Sequence, residues 1–109
     1  MYHTPAYVDK IKTLSETTGG DAGELTPVGK GSYEIALISA GMGLSAIDAV
    51  MEGKVHNAYC LNRPVGHHAE TARGRGFCIF NNVVIATKYA RQKYGLKRIM
   101  ILDWDVHHG

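Results

Sequence analysis

Two stretches of this chain carry side chains that ligate metals and move protons. One is Asp103-Trp104-Asp105-Val106-His107-His108-Gly109, at the tip of an apolar run; the other is the tandem His67-His68, in the segment Arg63-Pro64-Val65-Gly66-His67-His68. Carboxylate and imidazole are ligands that a divalent zinc or iron ion accepts. If the backbone stays extended past Leu102, residues 103, 105 and 107 share one face. Their side chains then stand about 6 to 7 Å apart along the strand, close enough for two neighbours to converge on one cation. A lone histidine is more often structural than a ligand, but here four of six histidines fall in two adjacent pairs, one of them interleaved with aspartates. A hydrolytic metal site needs metal ligands, a base beside the metal-bound water, and carboxylates that fix imidazole tautomers. His67 and His68 supply candidate bases, and Asp103 a carboxylate to orient one of them.

The elements that would position these residues can be read from caps and periodicity. Arg98-Ile99-Met100-Ile101-Leu102 is a β-favouring run without helical period, expected as a strand buried on both faces of a parallel sheet. Asn57-Ala58-Tyr59-Cys60-Leu61 is a second strand candidate, followed by the loop that carries His67-His68. Between the two strands a helix is expected through Val84, Ile85, Lys88, Tyr89 and Arg91, capped by Asn81 or Asn82 and closed by Gly95. Strand, helix, strand predicts a parallel pair with both motifs at the carboxyl ends of their strands, the edge at which open α/β sheets bind ligands. Upstream, Thr4-Pro5 opens a helix through Val8, Ile11 and Leu14, ended by Gly19-Gly20. Residues 19–31 read as an exposed, glycine-rich loop. Ser32 starts a long helix with apolar positions at Ile35, Ile38, Met42, Ala46, Ala49 and Val50, ended by Gly53; Gly41 and Gly43 inside it weaken it unless something packs closely there.

Composition narrows the function classes only modestly. At 109 residues and 45% hydrophobic content the chain suits one domain with a core. A net charge of +2 with 20% charged residues points to neither a nucleic-acid nor a membrane partner. Cys60 and Cys78 are too few for a disulfide framework and read as free thiols, which suits a reducing cytoplasm. No stretch is expected to span a bilayer, and the start lacks the regions of a signal peptide.

Three ordered blocks resemble one family. Arg63-Pro64-Val65-Gly66-His67-His68-Ala69-Glu70, Gly76-Phe77-Cys78-Ile79-Phe80-Asn81-Asn82 and Leu102-Asp103-Trp104-Asp105-Val106-His107-His108-Gly109 are similar to the zinc-dependent histone deacetylase superfamily, in wording closest to its class II and bacterial members, which include acetylpolyamine amidohydrolases. The resemblance implies a partial arginase/deacetylase-like α/β fold, a parallel sheet with flanking helices, and hydrolysis of acetyl-lysine or another acetylated amine. It assigns zinc to Asp105 and His107, makes Asp103 the partner of His67, and makes His68 the general base and acid. Gly76 and Phe77 would line the substrate channel. A monovalent cation, usually potassium, would bind the Asp103 and Asp105 side chains and the His107 main-chain carbonyl.

The same resemblance implies a third zinc ligand and a catalytic tyrosine downstream, both expected beyond Gly109. On that reading residues 1–109 are one domain, a fragment of a larger catalytic domain, inactive alone and assembling as a homo-oligomer. Two alternatives stand beside it: a non-catalytic oligomeric module, and a metal-binding protein whose site is completed between subunits. At the rim, where relatives carry an aspartate before Thr26-Pro27, this chain has Leu25, with Asp21 and Glu24 nearby. Without the family match, Phe77, Cys78 and Phe80 would read as core, Arg73 and Arg75 as a solvated loop, and Trp104 as packing.

Overall fold

A computed structural model describes residues 2–109. Helix α1 (Pro5–Glu16) begins as its sequence dictates: Thr4 Oγ1 accepts the Tyr7 amide at 3.2 Å, and Pro5 occupies the first turn, where a missing N–H costs nothing. It ends where Gly19 turns left-handed and its amide bonds back to the Leu14 carbonyl at 2.9 Å. Tyr7 and Ile11 on its inner face enter the core with Ala22, Val28, Ala36, Ile79 and Phe80.

The segment after α1 is not the exposed loop expected. Short strands β1 (Gly20–Asp21), β2 (Gly23–Glu24) and β3 (Pro27–Val28) form there, with β1 antiparallel to β3 and β2 parallel to β4 (Gly74–Arg75). Ala22, Thr26 and Val28 are buried. Asp21 caps the turn internally, accepting the amides of Gly23 (2.8 Å) and Thr26 (3.1 Å). Two-residue ladders are too short to show an alternating pattern, so sequence alone could not announce them.

Helix α2 (Ser32–Met51) and helix α3 (Asn82–Tyr94) pack on each other. The burying face of α2 differs from the stripe expected: Ala36, Ser39 and Ala40 are buried, whereas Ile35 and Ile38 lie outside. Small residues let the neighbouring backbones approach. A Cβ on Gly43 would stand 3.3 Å from Ala86 Cβ, which accounts for that glycine. Asp48 fastens the far end, accepting hydrogen bonds from Tyr89 (2.8 Å), Lys93 (2.9 Å) and Tyr94 (2.7 Å). By length and composition alone α2 reaches the threshold for crossing a membrane, with a mean hydropathy of 1.5, which corrects the expectation that no stretch does. Asp48, bonded within the protein, is at odds with a lipid-facing helix. Helix α3 is capped as expected, Asn81 Oδ1 accepting the Val84 amide and Gly95 turning left-handed at its end.

The α/β class is thus present as three helices around small extended pairs, one of them parallel. The two strands expected at 57–61 and 98–102 do not form a ladder among the described residues. A strand is defined by a hydrogen-bonded neighbour, and these two segments do not supply one to each other. Met100 and Leu102 are exposed, and Trp104, expected to pack, is 89% exposed.

Candidate active site

The site is built from two segments held very differently. The segment around His67-His68 is laced into the molecule through buried groups. Pro64 O accepts Ser39 Oγ (2.7 Å) and Asn82 Nδ2 (2.9 Å), and the Gly66 amide donates to Cys78 Sγ at 3.2 Å. Gly66 has φ +109, and a Cβ there would overlap the Phe80 carbonyl. Asn81 Nδ2 reaches the His67 carbonyl (3.3 Å) and the Ala69 carbonyl (2.9 Å).

The segment 103–109 is held mostly by its own turns. Asp103 Oδ1 accepts the Asp105 amide at 3.1 Å, and Asp105 Oδ1 accepts the His107 amide at 2.8 Å, the local pattern by which aspartate organises a loop. Asp103 Oδ2 accepts the Gly109 amide (2.8 Å) and meets His67 Nδ1 at 2.7 Å. Gly109 lies so close to the His67 carbonyl that no Cβ would fit.

Thirty-six residues apart in sequence, His67 and Asp103 therefore form one unit. The Gly109 amide, His67 and the Asp105 amide stabilise the carboxylate and hold the Asp103 pKa down at about 2. An ionised carboxylate can only accept, so the proton in the short contact sits on His67 Nδ1. His68 stacks beside His67, ring centroids 4.2 Å apart. Its pKa is lowered, first by burial and then by His67 and Arg75, against the opposing pull of Asp105 and Asp103. A neutral imidazole at physiological pH is a proton acceptor.

These residues face an open cavity of about 950 Å³ whose walls include His67, His68, Asp105 and His107. Gly76 and Phe77 line it too. Gly76, with φ +53, stands against the His68 ring: a Cβ would come within 2.9 Å of His68 Cδ2. Its lack of a side chain thus makes room for the imidazole. Phe77 is 70% exposed, not core, while Cys78 and Phe80 are buried. Phe77 and Leu25 both adopt left-handed backbone and are joined by the Phe77 amide donating to the Leu25 carbonyl at 3.0 Å. Two non-glycine residues held there is the strain that functional sites store.

Of the two acids at the rim, Asp21 is spent on its own turn, whereas Glu24 lines the cavity and pairs with Arg73 (2.6 Å) and Arg75 (3.5 Å). The arginines expected as a solvated loop are exposed but engaged. Asp105 and His107 offer the right donor types for zinc, but among the described residues no group of three or more His, Cys, Asp or Glu side chains is placed to hold a metal ion. A catalytic zinc takes three protein ligands, one more than these two donors supply.

Comparison with known proteins bears on the family and the fold. The profile of the histone deacetylase domain matches residues 1–109. The histone deacetylase-like amidohydrolase of Pseudomonas aeruginosa is 47% identical over 107 residues, 98% of this chain and 28% of that protein. The polyamine deacetylase HDAC10 of Mus musculus is 44% identical over 118 aligned residues, 100% of this chain and 17% of its own. The crystal structure of the HDA15 HD domain superposes with a TM-score of 0.91 at 36% identity, covering 99% of this chain and 30% of that one. The chain spans under a third of the length of each of these relatives. With its whole length matched and its tandem-histidine and aspartate motifs drawn to one cavity, this chain belongs to the histone deacetylase domain family.

Proposed function

We propose that this chain supplies the His67-His68 and Asp103–His107 part of a zinc-dependent amidohydrolase that cleaves acetyl-lysine or another acetylated amine. The observation that carries the reading is the 2.7 Å contact between His67 and Asp103, which ties the proton-handling pair to the segment bearing the metal donors. Asp105 and His107 would hold zinc together with one further ligand. Zinc bound there supplies a Lewis acid for the acetyl carbonyl and for water.

The chain's own residues do the rest. Asp103 keeps the His67 proton on Nδ1 and fixes the ring. His68, neutral beside it, takes a proton from the attacking water and returns one to the departing amine. Phe77, Leu25 and the backbone of Gly76 form an apolar lip for the substrate's aliphatic stem. In the same reading the Asp103 and Asp105 carboxylates and the His107 carbonyl would hold a monovalent cation such as potassium. Free Cys60 and Cys78 fit a reducing cytoplasm.

The test uses a chain extended to the length of its relatives, assayed on acetyl-lysine peptide and on an acetylated polyamine. His68→Ala is expected to lower kcat by about 10² or more, the size of losing a general base, with zinc still bound. Unchanged turnover would remove His68 from the role.

A second reading, a homo-oligomer that completes or replaces the site between subunits, is favoured by the exposed apolar side chains of Ile35, Ile38, Met100 and Leu102. Apolar surface of this kind is a template for association. On either reading the 109-residue chain, with two zinc donors, is expected to show no hydrolysis as a monomer. Light scattering with an acetyl-peptide assay in added zinc checks both: a monomer refutes assembly, and chelator-sensitive turnover refutes inactivity.

A further inference from the structure

Beneath the backbone of the tandem histidines lies a buried polar chain that reaches the cavity wall at Asn81. Asn81 is 5% exposed and makes five hydrogen bonds with five different residues, one of them its carbonyl accepting the Ile85 amide at 3.0 Å. Its Oδ1 accepts the Val84 amide at 3.2 Å and caps α3. Its Nδ2 donates to the carbonyls of His67 (3.3 Å) and Ala69 (2.9 Å). Its backbone amide donates to Nε2 of His3 at 2.9 Å. His3 is 4% exposed, and its Nδ1 meets the Thr71 carbonyl at 3.2 Å.

These partners settle the tautomer. A carbonyl can only accept and an amide can only donate, so His3 carries its proton on Nδ1 and is neutral. Burial lowers the His3 pKa, which keeps it in that state against the pull of the carbonyls around it. The rings of Tyr2, Tyr7 and Phe80 surround the imidazole and hold its plane.

We propose that Asn81 is a positioning residue for His67: its amide clamps the carbonyls on either side of His68 while the buried His3 imidazole, bound to the Asn81 backbone, fixes Asn81 itself. The inference rests on the reading that the His67–Asp103 contact belongs to a catalytic site. Its physical content is separate. Asp103 orients the His67 ring from the front, but Asp103 sits on an exposed segment and cannot fix where the His67 backbone lies. Asn81 does that from the start of α3, through its bonds to the His67 and Ala69 carbonyls. Asn82 makes the equivalent tie one step upstream, to Pro64 and Val65.

The experiment follows the His67 Nδ1 proton in the 109-residue chain labelled with nitrogen-15 at histidine, reading its exchange with water by NMR. Exchange needs the loop to open, so a loosened backbone speeds it. Asn81→Ser keeps a helix-capping oxygen and removes both donors. It is expected to raise the exchange rate about fivefold or more, the factor for losing one buried hydrogen bond. His3→Ala is expected to act in the same direction, and His3→Gln, which returns an acceptor to the Asn81 amide, to restore most of the protection. A wild-type rate in Asn81→Ser with α3 helicity intact would overturn the proposal, as would equal rates in His3→Ala and His3→Gln. Absence of an Nδ1 proton on His67 in the wild type would instead sink the His67–Asp103 reading, and this inference with it.

Discussion

The two halves of the site are built on opposite terms. Around His67-His68 every turn is anchored elsewhere, in Cys78, Asn81, Asn82 and Ser39, and three of those four side chains are buried. Around Asp103–Gly109 the bonds are local, and among the described residues the one long-range side-chain hydrogen bond is to His67. Proton transfer tolerates little displacement between base and substrate, so a rigid frame suits the histidines. The metal-donor segment draws its geometry from aspartates that organise their own turn. The chain thus fixes its tandem-histidine half by tertiary contacts and its Asp103–Gly109 half by local turns.

That contrast can be broken most severely from the core. Ile11 is fully buried between α1 and the 79–80 segment, and Ile11→Ala is expected to cost about 2–5 kcal/mol in a urea unfolding titration, as large-to-small core changes do. Leu102→Ala, at a side chain 69% exposed on the donor half, should change the same midpoint by under about 0.5 kcal/mol. Comparable losses would mean that the 98–109 segment is as integral as the core. Between the two, Gly76→Ala forces a left-handed alanine against His68 and is expected to cost about 1–2 kcal/mol from backbone strain alone. It should also displace the His68 ring, visible as a shift of its imidazole resonances; an unshifted ring would leave Gly76 without the role given it here.

The smallest effect concerns acid. Asp103 titrates at about 2 in the folded chain, below its ordinary 3.8, so its hydrogen bonds contribute stability that is fully present above about pH 4 and fades as pH falls through 2. Asp48, held by Lys93 and then by Tyr94, behaves alike, also near 2. Carboxyl-carbon NMR should place both midpoints near 2. A normal value for Asp103 with a depressed one for Asp48 would show that the α2–α3 tie forms and the tie between the site halves does not.

Much of this was written into the sequence, and the limits have physical causes. The helices were legible because their ends are marked by Thr4-Pro5, Asn81 and Gly95, whose roles are local. Which face α2 buries was not legible, since the apolar stripe through Ile35 and Ile38 is outranked by the close approach that Ala36, Ala40 and Gly43 permit. Strands at 57–61 and 98–102 depend on neighbours, which no local pattern supplies. Asp103, His67 and His68 were legible as residue types in motifs. His3 was not: a single histidine among aromatics looks like ordinary core, and only its bonds to Asn81 and Thr71 reveal what it holds.

The claim that the donor half carries metal chemistry is tested most directly by the metal content of the extended chain and of two variants. Asp105→Ala and His107→Ala, each purified with zinc and measured by plasma mass spectrometry, are expected to lose most of the zinc that the parent protein retains, because each removes a ligand. Zinc at the parent's stoichiometry in both variants would contradict the account.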